Sequence, residues 1–134
     1  MKRFLQAVLL IACLSPLAHA ADKISTLVIH PEETIYARFE VSAKKIKLVN
    51  VAKEADGQAQ VIFTLTREAK TGILELKVDN KFPNDLIYRA EIRSKTRNLH
   101  TPYHVTPVVG GKVAFEKLPP AVEEFAAFDF KLEK

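Results

Sequence analysis

The chain has 134 residues, 48% hydrophobic and 27% charged, with 20 Lys and Arg against 16 Asp and Glu, a formal charge of +4. That length suits one domain with its own core, and charges of both signs dispersed along it lack the clustered basic face that nucleic acid requires. One cysteine allows no internal disulfide and no cysteine-based zinc cage, and four glycines form no phosphate-cradling loop.

The N-terminus reads as an export signal. Met1, Lys2 and Arg3 give a positive start, Phe4 to Leu17 an apolar stretch, and Ala18-His19-Ala20 a small-x-small cleavage site. This predicts a signal peptide over residues 1–20 and a mature domain over 21–134, periplasmic or secreted. The apolar stretch is shorter than the ~20 residues that a transmembrane helix needs. Leu10-Ile11-Ala12-Cys13 also resembles the lipobox of bacterial lipoproteins, so the alternative is a lipid anchor through Cys13. Against it, the apolar run continues beyond Cys13 to the conventional site. Cleavage after Ala20 removes the sole cysteine and two basic residues, leaving 18 basic against 16 acidic residues.

From there the dominant pattern is period-two alternation, which places successive side chains on opposite faces of a strand. A first strand is expected over Ile24–His30. In Thr34–Val41, Ile35, Ala37, Phe39 and Val41 oppose Tyr36, Arg38 and Glu40. In Lys45–Ala52 the apolar phase slips by one across Ile46, Leu48, Val49 and Val51, which fits either a β-bulge or a strand buried on both sides. Asp56-Gly57 suits a hairpin turn with positive φ. Ala59–Arg67 carries Val61, Phe63 and Leu65, and Gly72 marks the next turn. Ile73–Asp79 sets Leu74, Leu76 and Val78 against Glu75 and Lys77, and Pro83-Asn84-Asp85 favours a tight reversal. Leu86–Arg93 sets Leu86, Tyr88, Ala90 and Ile92 against Arg89 and Glu91.

Ser94–Pro107 is the longest connection without a clear strand pattern, and so the best candidate for a functional loop. Short strands at Val105–Val109 and Lys112–Glu116 flank Gly110-Gly111. Pro119-Pro120 opens a connector that could include one helical turn. Phe125–Leu132 closes the chain, with Phe128, Phe130 and Leu132 on one face. Short strands with such turns predict an all-β domain, an antiparallel β-sandwich.

The run from Leu74 to Tyr88, Leu-Glu-Leu-Lys-Val-Asp-Asn-Lys-Phe-Pro-Asn-Asp-Leu-Ile-Tyr, resembles a pattern of immunoglobulin-like sandwiches. In it an alternating strand ends at Asn, an aromatic-Pro corner follows, and the next strand carries an inward Tyr. The run is similar to water-stress and late-embryogenesis-type domains and to small exported bacterial proteins of unknown function. Lys81 stands where those domains often have Pro. The resemblance implies an immunoglobulin-like plan and no catalytic residues.

The candidate chemistry is sparse. His100 and His104 have a spacing used by metal ligands, and neutral imidazole suits copper or zinc, with His30 a possible third ligand. Pro102 disfavours the helix that would place the pair on one face. Glu32-Glu33 and Glu123-Glu124 are adjacent acids whose side chains tend to diverge, and they read as solvated loop residues. No serine lies in a Gly-x-Ser-x-Gly elbow. Arg93, Lys95 and Arg97, followed by Tyr103, form a candidate basic, aromatic-edged surface, or simply charge that guards a sheet edge. The expected role is a non-enzymatic binding or structural module of the bacterial periplasm or cell envelope, without cofactor or nucleic acid, contacting a protein or glycan. The alternative is a periplasmic copper or zinc carrier that uses His100 and His104.

Overall fold

The computed structural model describes residues 25–43 and 45–133, so the expected signal peptide and Cys13 lie outside the described residues. Nine strands carry 66% of the described residues, which include no helix. They are β1 (Thr26–Ile29), β2 (Glu33–Ser42), β3 (Lys45–Ala52), β4 (Val61–Arg67), β5 (Leu74–Asn80), β6 (Asp85–Ser94), β7 (Arg97–Tyr103), β8 (Val113–Leu118) and β9 (Val122–Glu133). All pairings are antiparallel, in the order β7-β6-β9-β3-β2-β4-β5-β8, with β1 also on β9. The sheet curls into a half-barrel.

Alternation decides which face of each strand turns inward. Leu74, Leu76 and Val78 of β5 are fully buried while Glu75 and Lys77 are exposed, and Val61, Phe63 and Leu65 of β4 repeat the pattern. In β3 the slipped phase is a bulge. Arg38 pairs with Asn50 and Phe39 with Leu48, so Val49 is an extra residue, and both Val49 and Val51 end exposed.

β9 bends at a second irregularity. Asp129 takes a left-handed φ of 54°, and the β6 register skips between Ile87 and Arg89. The expected common face of Phe128, Phe130 and Leu132 is broken there. Phe128 lies beneath the Arg89 guanidinium, 5.3 Å from its ring centroid, while Phe130 and Leu132 enter the core. The bend lets one strand serve several partners. The first half of β9 holds β1, Lys131 meets Lys45 of β3, and β6 runs along the opposite edge. Inside, Phe130 packs on Phe39 at 4.9 Å, Tyr88 at 5.9 Å and Phe63 at 6.4 Å, joining β2, β4, β6 and β9 through one aromatic cluster.

Four local expectations are corrected. Ser94–Pro107 is not a long loop, because Arg97–Tyr103 folds back on β6 as an edge strand, with Ala90 opposite Tyr103 and Glu91 opposite Pro102. Proline is tolerated on an edge because it needs no ladder donor there. Val105–Val109 is not a strand, and only Val108 bridges, to Leu86. The left-handed glycines are Gly72 and Gly111, not Gly57, and Asp56 instead takes a two-bonded grip on Arg38. The connector after Pro119 is a turn, closed by the Val122 amide donating to the Pro119 carbonyl at 3.1 Å, and it leads directly into β9.

The Asn that ends β5 anchors the corner. Asn80 is a fully buried polar side chain. Its amide donates to the carbonyls of Asn84 at 2.9 Å and Val108 at 3.0 Å, and its oxygen accepts from the Phe82 amide at 3.0 Å. Gly110 closes against the same corner, where an added Cβ would meet the Pro83 carbonyl oxygen at 2.1 Å.

Candidate functional site

Because β1 and β6 both pair with β9, and β7 lies on the far side of β6, residues far apart in the chain meet on one side of the sheet. His30 follows β1 in a turn whose Glu32 has a φ of 69°. Glu33, the first residue of β2, accepts the His30 amide at 2.8 Å and faces His30 Nδ1 at 3.1 Å. His30 Nε2 points the other way, 3.3 Å from Glu124 Oε1 on β9. From β7, His100 Nε2 lies 3.9 Å from Glu124 Oε2, and its Nδ1 lies 4.0 Å from Glu91 on β6. Two imidazoles thus bracket a single carboxylate, and each has a further carboxylate behind it.

Arginine and lysine complete the cluster. Arg93 on β6 reaches Glu123 at 3.1 Å and Glu124 at 3.5 Å. Adjacent glutamates can share it because the β6–β9 register is irregular at this point, pairing Arg93 with Glu124 and Ser94 with Val122. Glu123 and Glu124 are therefore strand residues engaged with a cation, not diverging loop acids. Lys53 holds Glu33 at 2.8 Å, and this bond, with those from His30, keeps the Glu33 carboxyl down at about 2 despite the opposing effect of burial.

The structure does not bring His100 and His104 together. His100 lies within β7 and His104 just beyond its end, and four residues of extended chain span about 13 Å. His104 lines a cleft of about 270 Å³ with Tyr88, Arg89, Glu91, Tyr103 and Phe128, where β7 leaves β6. Chain comparison gives no relative to lean on. No family model, curated protein or solved structure matches. The Tyr88 hydroxyl is buried without a hydrogen-bond partner, and burial, reinforced by Glu116 and Tyr103, pushes its ionisation up. Tyr103 donates its hydroxyl to the Lys117 carbonyl at 2.7 Å, fastening β7 to β8 across the opening of the half-barrel.

The candidate basic surface is dispersed in a similar way. Arg93 is held by its two glutamates and Tyr103 by β8, while Lys95 is exposed in the β6–β7 turn and Arg97 opens β7. Sequence reasoning singled out His30 and His100 but gave no role to Glu33, Glu91 or Glu124. The pairing of β9 with β1 and β6, and of β6 with β7, is what relates them, and no local spacing encodes it.

The outer edge of β8 is a second feature. β8 ends the sheet order, and its Val113 and Phe115 side chains are 42% and 56% exposed, next to Val109 at 56%. Since the Lys117 carbonyl faces away from β5, where Tyr103 bonds it, alternation turns the backbone groups of Val113 and Phe115 to that outer side too.

Proposed function

We propose that this protein is a non-enzymatic binding module of the bacterial periplasm or cell envelope, and that β8 takes an extended segment of a partner protein by strand addition. The observation that carries this reading is the coincidence, at the 113–115 end of β8, of a backbone edge that no other described strand occupies and exposed Val113 and Phe115 side chains; farther along, Tyr103 and Thr106 already bond β8 at Lys117 and Glu116. Main-chain bonds at an edge supply affinity and alternate side chains supply selection. Exposed apolar edges also invite aggregation, and β7 carries Pro102, a usual guard against it. β8 has no proline between Val113 and Leu118. The N-terminal sequence supports the location.

An immunoglobulin-like sandwich is the plan we infer behind the half-barrel. The Asn80 corner and the inward Tyr88 of the resembling run support it, as does the aromatic cluster joining β2 and β4 to β6 and β9.

A photo-crosslinking residue placed at position 115, and separately at position 36 on β2, tests the binding reading in living cells. A discrete adduct at 115 that is absent at 36 is the expected result. Equal labelling at both positions, or none at 115, rejects β8 as the contact.

A further inference from the structure

We propose that the partner at β8 is a second copy of this chain, paired β8 to β8 in antiparallel fashion about a two-fold axis at Ala114. The inference rests on the reading of β8 as a pairing edge and names the chain that takes it.

Backbone direction sets what β8 can offer. The Asn80 amide donates to the Lys112 carbonyl at 3.0 Å, so Lys112, Ala114 and Glu116 turn their backbone groups to β5, and Val113 and Phe115 turn theirs outward. Among the described residues no other strand pairs with that side. A two-fold pairing of β8 with itself must set outward groups against outward groups. Centred on Phe115, it would place Val113 against Lys117, whose carbonyl already accepts the Tyr103 hydroxyl at 2.7 Å. Centred on Val113, it would place Phe115 against Gly111, whose amide already donates to the Phe82 carbonyl at 2.8 Å and whose φ is 70°. Centred on Ala114, Val113 and Phe115 of one copy meet Phe115 and Val113 of the other, and every outward amide and carbonyl of these residues finds a partner.

Side chains in that register are complementary on both faces. On the outer face each Val113 stands opposite a Phe115, a β-branched and aromatic pair of the kind that stabilises antiparallel sheets, and the two Phe115 residues are diagonal neighbours within reach of each other. In the single chain these side chains are 42% and 56% exposed, so pairing removes apolar surface from water. On the other face Lys112 stands opposite Glu116 in both halves, and opposite charges directly across a ladder favour the pairing. Thr106 holds Glu116 through Oε2, at 2.9 and 2.7 Å, which leaves Oε1 to face Lys112 of the second copy. The second copy also leaves the edge at a suitable place. Its chain turns off at the left-handed Gly111, opposite Lys117, so the ladder ends where Tyr103 covers β8. So short a ladder lies at the low end of specific interfaces, and a dissociation constant of about 10–100 µM is expected.

Sedimentation of the purified, untagged protein over a range of concentrations tests the pairing, with Cys13→Ser present so that no native thiol interferes. We expect a monomer–dimer equilibrium. Phe115→Lys should weaken it about tenfold or more, and Val28→Lys, at a β1 side chain 40% exposed, should leave it unchanged. Mild oxidation of single-cysteine variants reads the register separately. Ala114→Cys should give a covalent dimer, because residues across a non-hydrogen-bonded pair lie about 4.5 Å apart, within disulfide reach. Val113→Cys should not, because its own copy is the diagonal neighbour, about 7–8 Å away. A protein that stays monomeric at about 1 mM, a dimer indifferent to Phe115→Lys, or faster linkage at 113 than at 114 would overturn the proposal. If the protein is monomeric while position 115 crosslinks to a different protein, the identity of the partner alone falls; if position 115 gives no adduct either, the reading of β8 falls with it.

Discussion

Asn80 and Tyr88 are both buried polar side chains, and they differ in whether their hydrogen bonds are met. Asn80 bonds the Asn84 and Val108 carbonyls and the Phe82 amide, with its own side chain fully buried. Asn80→Ala leaves the Asn84 carbonyl and the Phe82 amide without this partner, while the Val108 carbonyl keeps the Leu86 amide, and each orphaned buried group costs about 1–3 kcal/mol, so a loss of about 2 kcal/mol is expected in urea unfolding. Tyr88 buries a hydroxyl with no partner, and its ring stacks on Phe130. Tyr88→Phe keeps the ring and removes the unmet group, so it should gain about 1 kcal/mol in the same measurement. A loss on Tyr88→Phe would show that the hydroxyl has a partner, such as a bound water.

The turn between β1 and β2 carries the clearest pH dependence of any element. Lys53 first, then His30, hold the Glu33 carboxyl at about 2, below its ordinary value of 4.5. A carboxyl depressed on folding stabilises the protein above its unfolded value, and that gain fades as pH falls from 4.5 towards 2. Lys53 is largely exposed, so screening holds the gain to about 1 kcal/mol. In chelator-treated buffer, Glu33→Gln should therefore be about 1 kcal/mol less stable than the parent at pH 7, with the gap closing by pH 2. A gap that stays constant would assign the effect to packing instead. The same scale shows what the sequence disclosed. β4 and β5 were legible because each buries one face against the core, which alternation records directly. β7 was not, because an edge strand needs few inward apolar residues and tolerates Pro102, so Arg97–Tyr103 looks like loop. The phase of Phe128 was hidden by the left-handed Asp129, a residue type that enters that region more readily than most. His30 and His100 were visible as histidines, whereas Glu124 gained its place only through the pairing of β9 with β1 and β6.

For the molecule as a whole, β9 is the strand that connects the rest. Without it, β1 loses its paired neighbour and the β6–β7 hairpin loses its ladder to the other strands. Val122, Phe125, Phe130 and Leu132 are buried, and side chains of this kind contribute about 1.5–3 kcal/mol each. Their sum is comparable with the whole stability of a small domain, about 5–15 kcal/mol. The pairing of Thr26 with Phe128 also means that the sheet closes between two strands near opposite ends of the described chain. Such non-local pairing makes folding slow, because the closure entropy of a long loop precedes the contacts that offset it. A fold that cannot complete before β9 is available keeps the polypeptide unfolded for longer. A chain ending at Ala121 should therefore show no cooperative urea transition, and its far-ultraviolet circular dichroism should be that of an unfolded polypeptide. If it kept a cooperative transition, β2, β3, β4, β5 and β8 would form an independent unit, and β9 would be an addition to the fold instead of its closing element.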